Sequence, residues 1–180
     1  MPRAEVRPDV ALVPLEIAHA ERTHRWICDP AVRDNLGVRA EPSLERTRRW
    51  IGDAGAGDLT RAFAVMLGGA HVGNAVLDQI DRHLEKGRLS VYIGEPGARG
   101  NGVGRSACYR LLEEAFGPAG LRKVWLTVHV RNHAALLTYV RLGFRIEGVL
   151  REEFLLAGER IDALLMGILR REFPAPERPR

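Results

Sequence analysis

The chain has 180 residues, of which 46% are hydrophobic and 28% charged, as in an ordinary globular domain with one core. No apolar run approaches the roughly 20 residues of a membrane-spanning helix, and the first residues lack the apolar stretch of a signal peptide. The net charge of +4 comes from basic residues that are scattered among acidic ones, which disfavours a nucleic-acid surface. The length and the lack of a signal-peptide pattern lead us to expect one cytoplasmic domain.

The first third of the chain is predicted to be helical around one short strand. Residues 11–14 form that strand, and a helix follows near residues 16–27. Pro42 and Ser43 mark the start of another helix, which runs to about residue 53, because a serine hydroxyl can cap the free N–H groups of a first turn. Residues 54–58 contain glycine and are predicted to be a flexible loop.

A hairpin and a third strand are predicted in the centre of the chain. Arg61–Leu67 and residues 70–78 are extended apolar runs, joined by Gly68 and Gly69, a pair suited to a tight turn. Residues 88–94 form the next strand. A glycine-rich loop then opens a helix that ends at Gly117 and Pro118, with the apolar face of period 3.6 formed by Val103, Ala107, Cys108, Leu111, Leu112, Ala115 and Phe116.

The remaining segments predict strand, helix, strand, strand. Residues 123–130 alternate cleanly, a short helix covers about residues 132–142, and residues 144–156 and Glu159–Leu169 are extended. The proline-rich, charged segment 174–180 is predicted to be frayed. This order indicates a single α/β domain over residues 1–180, its core at about 10–170, with a mixed, mostly antiparallel sheet of about seven strands flanked by helices.

Cysteine and histidine usage indicates neither a disulfide nor a metal site. Cys28 and Cys108 are far apart in the sequence, and we expect both to be reduced core residues. No cluster of His and Cys has the spacing of metal ligands, so no metal is expected.

The most informative segment reads Arg-Gly-Asn-Gly-Val-Gly from Arg99 to Gly104 and leads directly into a helix. Glycines let the backbone approach a ligand closely, and the first turn of a helix presents N–H groups, so the segment predicts an anion site for phosphate or pyrophosphate. A P-loop would need Lys and Ser or Thr after its last glycine, where this chain has Arg105 and Ser106. A dinucleotide fingerprint is also incomplete.

Two motifs carry a resemblance to a known family. Arg, two residues, Gly, one residue and Gly before a helix resembles the acetyl-CoA pyrophosphate loop of the GNAT N-acetyltransferase superfamily. Residues 130–144, a strand end followed by Asn132, an apolar helix, Tyr139 and Gly-Phe, resemble its other signature. The final strand pair resembles the hairpin of the ribosomal-protein (Rim-type) and spermidine acetyltransferase branch through Gly158, Asp162 and Met166.

The resemblance implies a sheet that is splayed in the middle, where acetyl-CoA lies between residues 88–94 and 123–130. Backbone groups of Val91, Tyr92 and Ile93 would pair with the pantetheine arm, and an N–H near Ile93 would stabilise the oxyanion. The other implied acetyl-CoA contacts are Arg99, Gly100, Asn101, Gly102, Val103, Gly104, Arg105, Asn132 and Tyr139. The alternative is that Asn132 is only a helix cap and Tyr139 only a core aromatic.

The implied reaction is direct attack of a primary amine on the thioester, with Tyr139 as the acid that protonates the leaving thiolate. Rim-type relatives place a glutamate base where this chain has Thr127, which cannot act as a base. His129 lies two residues further along the same strand face, and its ordinary pKa suits a base. Other candidates for the base stay open: a water chain or Asp78, His71 and Glu41.

The acceptor is expected to contact the N-terminal helices and the final hairpin. A protein N-terminus, a polyamine, an amino sugar and an amino acid derivative all remain open, as does a homodimer. Carboxylates that could attract a cationic amine, or form a solvated surface, are Asp29, Asp34, Glu41 and Glu45. Two other functions compete: a catalytically weak acyl-CoA-binding or sensor module, suggested by Thr127, and a nucleic-acid-binding protein, suggested by the isoelectric point of 9.6.

Overall fold

The structure is a computed structural model that describes residues 10–38 and 40–173. Its helices and strands follow the predicted order, with one additional helix. A single 3-10 turn at Ile17–His19 leads into the first helix. The elements in chain order are β1 Val10–Pro14, α1 Ala20–Cys28, α2 Pro30–Leu36, α3 Leu44–Ala56, β2 Arg61–Leu67, β3 Ala70–Asp81, β4 Lys86–Ile93, α4 Val103–Phe116, β5 Lys123–His129, α5 His133–Leu142, β6 Arg145–Leu156 and β7 Glu159–Leu169.

The seven strands form one sheet in the order β1-β2-β3-β4-β5-β7-β6. All neighbours are antiparallel except β4 and β5, which are parallel because α4 connects them as a crossover. The predicted fold class, an α/β domain with a mixed and mostly antiparallel sheet, is therefore confirmed.

Three details of the sequence prediction were wrong. Helix α2 was not predicted, although Asp29 caps it by accepting from the Ala31 N–H at 2.9 Å and Pro30 occupies its first position. Helix α3 continues to Ala56, so most of the segment predicted as a loop is helical. Cys28 is exposed at the end of α1, whereas Cys108 is buried as predicted. The predicted frayed segment 174–180 lies outside the described residues.

The two faces of the sheet carry different helices. Leu89 of β4 and Val124 and Leu126 of β5 pack in the main core with residues of α4 and α5. The alternate side chains of the same strands point to the opposite face, because successive strand residues alternate. Tyr92 on that second face reaches the α1 side, since Asn74 donates from Nδ2 to the Tyr92 hydroxyl at 2.7 Å and to the hydroxyl of Thr23 at 2.9 Å.

The sheet splits between β4 and β5. These strands pair only at Lys86–Lys123, Gly87–Val124 and Arg88–Trp125, near their N-terminal ends. In the described part of the chain, no strand lies against the β5-facing edge of β4 beyond Arg88. The split thus leaves an open edge of β4 next to the glycine-rich loop that follows it.

Candidate functional site

The direction of the backbone at the end of β4 determines which groups face the split. The Gly94 N–H donates to the Val72 carbonyl of β3 at 2.9 Å. The carbonyl of the preceding residue, Ile93, instead accepts from Arg99 Nε at 2.8 Å. Because the N–H and C=O of one strand residue point to the same side, the Ile93 N–H faces away from β3 and toward the split.

Alternation along β4 places Val91 on the same side as Ile93 and turns Tyr92 toward β3. A Cβ atom built on Gly73 would lie only 2.2 Å from the Tyr92 carbonyl oxygen, so a side chain at position 73 would collide with that carbonyl. The Tyr92 side chain is partly buried on the α1 face, and desolvation raises the pKa of its phenol. Main-chain pairing across the split is therefore available to Val91 and Ile93.

The glycine-rich loop is shaped by two residues in the left-handed region, Gly100 at φ 79° and Gly102 at φ 77°. Gly102 is the N-cap of α4, and its carbonyl accepts the Ser106 N–H at 3.0 Å. A Cβ atom on Gly104 would lie 3.7 Å from Ile93 Cγ1, so the first turn of α4 adjoins the end of β4. The loop, the helix N-terminus and the open strand edge thus form one continuous surface suited to an extended anionic ligand.

Arg99 ties this loop to its surroundings. Besides its bond to the Ile93 carbonyl, the guanidinium donates from Nη2 to the Gly94 carbonyl at 2.8 Å and lies 3.8 Å from the Asp29 carboxylate. The side chain therefore holds the loop against the end of β4 and the junction between α1 and α2.

His129 lies at the end of β5 and is only 6% exposed. Its Nε2 lies 2.8 Å from Oδ1 of Asn35 on α2, and its ring packs edge-on against Phe154 with centroids 5.4 Å apart. Burial, followed by the charge of Arg131, lowers the pKa of His129, while Asp34 opposes this effect. This lowered pKa favours the neutral imidazole, which is the protonation state of a base.

Both the oxygen and the nitrogen of the Asn132 side-chain amide form hydrogen bonds. Its Oδ1 accepts the Ala135 N–H at 3.1 Å and so caps α5, while its Nδ2 donates to Asn35 Oδ1 at 2.7 Å. The sequence prediction missed Asn35, which lies on the unpredicted helix α2. The cap formed by Asp29 and Pro30 was the available signal for that helix, but no sequence signal connected Asn35 to residues almost a hundred positions away.

Tyr139 packs in the main core on the α4 and α5 face and is 9% exposed. Its ring meets Phe144 with centroids 5.6 Å apart. Burial, together with the nearby thiol of Cys108, raises the pKa of the phenol, so the hydroxyl keeps its proton throughout the neutral range. His129 and Tyr139 therefore lie on opposite faces of the sheet.

The other candidate bases have different surroundings. Asp78 forms a two-point ion pair with Arg88, with distances of 2.7 and 2.8 Å. His71 is buried on β3, where its Nε2 lies 2.8 Å from Asn74 Oδ1, and burial lowers its pKa. Glu41 is exposed before α3. Among these three residues, only His71 resembles His129 in being buried and in having a lowered pKa.

Within residues 10–38 and 40–173, no group of three or more His, Cys, Asp and Glu side chains is arranged to hold a metal ion. No helix in the same described ranges has the length and apolar content needed to cross a membrane.

Known proteins resemble this chain in sequence and in fold. The family model described as an acetyltransferase (GNAT) domain matches residues 9–145. Spermidine N(1)-acetyltransferase of Escherichia coli K12 is 29% identical over 115 residues, which cover 64% of this chain and 61% of that enzyme. The N-acetyltransferase 9-like protein of Caenorhabditis briggsae is 26% identical over 149 residues, covering 74% of this chain and 73% of the relative.

The fold has a close counterpart among solved structures. Spermidine N-acetyltransferase from Vibrio cholerae, in complex with CoA and spermine, superposes with a TM-score of 0.87 at 24% identity. The superposition covers 92% of this chain and 98% of that one. The similarity extends over nearly the whole fold, whereas the sequence match spans only about three fifths of the length of the E. coli enzyme.

Proposed function

This chain belongs to the GNAT acetyltransferase family, and from that membership we propose that it transfers an acetyl group from acetyl-CoA to a primary amine. The observation that carries the proposal is the split between β4 and β5, which opens beside the glycine-rich loop and the N-terminus of α4. An open strand edge that continues into a helix N-terminus fits a ligand with an amide-containing arm and a pyrophosphate.

The donor would be held mainly by main-chain groups. Val91 offers its N–H and C=O groups to the pantetheine amides, as an added strand would, which leaves the Ile93 N–H for the thioester carbonyl. The loop from Arg99 to Arg105 and the first turn of α4 would receive the pyrophosphate, for which Gly104 leaves room. Tyr92 supports this arrangement from the other face, through its bond to Asn74.

The chemistry divides between the two faces of the sheet. The amine nitrogen attacks the thioester carbonyl carbon, a C–N bond forms, and the C–S bond breaks. The Ile93 N–H would stabilise the negative charge that develops on the carbonyl oxygen. We assign Tyr139 as the acid that gives its proton to the departing thiolate, and His129 as the base that receives a proton from the amine.

Among acceptors we place polyamines first. The E. coli and V. cholerae relatives are named for spermidine. Asp34 lies close enough to His129 to raise its pKa, and its carboxylate would bind a second ammonium group of a polyamine. The helices of this region also carry arginines, including Arg22 and Arg33, so the surface expected to contact the acceptor has charges of both signs. A peptide N-terminus or an amino sugar is the competing acceptor.

The test is an acceptor screen with acetyl-CoA, in which a thiol-reactive dye reports CoA release. Spermidine, spermine, amino sugars and peptides with different N-terminal residues are compared at equal concentration. We expect turnover with at least one amine and mass-spectrometric detection of its acetylated product. If the protein binds acetyl-CoA tightly but releases no CoA with any amine of the panel, the result would favour the catalytically weak acyl-CoA-binding module instead.

A further inference from the structure

A chain of hydrogen bonds with one possible direction ends at His129. It begins at Asn132, whose Oδ1 must face the helix it caps, because it accepts the Ala135 N–H at 3.1 Å. The amide nitrogen of Asn132 is thereby turned toward Asn35, 2.7 Å from its Oδ1. The direction of this second bond follows from the first, since an amide NH₂ can only donate.

The contacts of Asn35 favour one orientation of its amide. Its Nδ2 donates to the Ala31 carbonyl at 2.6 Å, and its Oδ1 receives the bond from Asn132. A reversed amide would place oxygen against a carbonyl oxygen and NH₂ against NH₂. Oδ1 is therefore an acceptor toward His129 as well, and the imidazole must carry its proton on Nε2.

This arrangement leaves Nδ1 of His129 as the basic nitrogen. In the described part of the chain Nδ1 is buried and has no hydrogen-bond partner. Buried polar atoms are normally satisfied, so an unpartnered one calls for an explanation, and a catalytic role is one such explanation. Phe154 packs against the imidazole and lies 3.4 Å from where a Cβ of Gly37 would stand, so access of an amine to Nδ1 would require this ring or α2 to move.

The position of His129 relative to β4 fits the same role. Arg88 pairs with Trp125 at the last register position before the split. Continued four residues beyond this last pair, to where the strands have separated, the register would set His129 level with Tyr92. The imidazole and helix α2 therefore share the face of the sheet from which an acceptor would meet the thioester.

We propose that Asn35 is a positioning residue for acetyl transfer, which fixes His129 with its proton on Nε2 and keeps Nδ1 as the site that takes the proton from the amine. This inference rests on the proposed function and adds a residue on α2 to it. The charged groups that act on the imidazole are Asp34 on α2 and Arg131 after β5, which forms an ion pair with Glu159.

The first test measures the tautomer directly and needs no turnover. Nitrogen-15 NMR of histidine-labelled protein should show His129 with a pyrrole-like Nε2 and a pyridine-like Nδ1 near pH 7.5. In Asn35→Ala this preference should weaken or reverse. Finding the proton on Nδ1 in the wild-type protein would overturn the proposal, whatever the acceptor screen shows.

The second test is kinetic, with the best amine from the screen. Asn35→Ala should lower kcat by roughly 10-fold or more, less than the loss of a general base, with the KM for acetyl-CoA within about twofold. Asn35→Asp keeps the acceptor oxygens but adds a negative charge. It should therefore raise the pKa of His129 and move the acidic limb of the rate profile to higher pH.

A double-mutant cycle separates this role from packing. In a His129→Gln background, Asn35→Ala should have no further effect on kcat, because the group that it positions is gone. Equal effects of Asn35→Ala in both backgrounds, or an unshifted profile in Asn35→Asp while the enzyme turns over, would overturn the proposal and leave the proposed function intact. If Asn35→Ala does not fold, the His129 tautomer in the wild-type protein and the pH profile of Asn35→Asp still test the proposal.

Discussion

The guanidinium of Arg99 holds the carbonyl of Ile93, with Nε 2.8 Å from the oxygen. This bond also sets the direction of the Ile93 N–H, because both groups of a strand residue point to the same side. The loop proposed to bind pyrophosphate and the strand end proposed to bind the oxyanion are thus oriented by one side chain.

We predict that Arg99→Ala weakens both acetyl-CoA binding and turnover. Two charge-assisted bonds are lost, each worth about 1.5–3 kcal/mol, and a loss of transition-state stabilisation equal to one of them lowers kcat/KM for acetyl-CoA by roughly 10- to 150-fold. Arg99→Lys should not restore it, because one ammonium lacks the planar fork that reaches Ile93 and Gly94 together. Steady-state kinetics decide, with the exposed Arg48→Ala as control; unchanged kcat/KM in Arg99→Ala would contradict this account.

Acetyl-CoA and CoA should raise the melting temperature of the protein. A ligand that binds only the folded chain stabilises it by about 2.7 kcal/mol at a hundredfold excess over Kd. NAD and ATP at equal concentration should do far less, because their shapes do not extend along the open edge of β4. Differential scanning fluorimetry measures the shift, and an equal effect of NAD would mean that the glycine-rich loop binds a different cofactor.

Substitutions at Gly104 should reduce acetyl-CoA affinity in order of side-chain size. The nearest atom to an added Cβ is Ile93 Cγ1 at 3.7 Å, so Gly104→Ala fits the fold and intrudes only on the pyrophosphate site, and Gly104→Val intrudes further. Gly97→Ala, in open space in the same loop region, is the matched control. Calorimetry gives the affinities; a folded Gly104→Val protein with wild-type affinity would remove this loop from the binding site.

Tyr139→Phe should lower kcat far more than it weakens acetyl-CoA binding. The phenyl ring keeps the packing against Phe144, so only the hydroxyl is lost. A positioned acid contributes about 100- to 10,000-fold, whereas a lost ground-state hydrogen bond costs about 0.5–1.5 kcal/mol, chiefly in affinity. If turnover stays within a few-fold of wild type, Tyr139 is a packing residue and the thiolate is protonated by another group.

Stability should fall on mild acidification. Burial lowers the pKa of both His71 and His129, so between the folded and unfolded values the unfolded chain binds more protons. The stability that the two neutral histidines contribute is complete above the pKa of about 6.5 in the unfolded chain. It is lost as the pH falls from there through their lower pKa values in the folded protein. Urea unfolding at several pH values should show this loss, and His71→Asn should flatten it; identical slopes in both proteins would exclude His71 as a cause.

Local patterns in the sequence were sufficient to predict most of the fold. Gly68 and Gly69 located a hairpin, and the alternation of residues 123–130 identified the two faces of β5. Helix α2 was missed because its seven residues are too short to establish a period, so only its caps could have revealed it. Such short elements are recognised by their ends rather than by their faces.

The candidate site was harder to predict, because its contacts are tertiary. Asn35 lies 94 positions before His129 and 97 before Asn132 in the chain, and nothing local to any of them indicates the meeting. Arg99 was expected near the pyrophosphate, and the motif gave no sign that its guanidinium reaches the carbonyls of Ile93 and Gly94. Motifs indicate which residues gather at a site, whereas their hydrogen-bond partners depend on how distant elements pack.

The split between β4 and β5 also determines where the sheet is easiest to open. Among the described strands, residues 89–93 of β4 pair with β3 alone, while β3 has a strand on each side. Amide protons on the split side of β4 should therefore exchange with solvent deuterium faster than those of central β3. Acetyl-CoA bound along that edge would slow this exchange. The exchange rates of the β4 amides would therefore report whether the cleft is occupied.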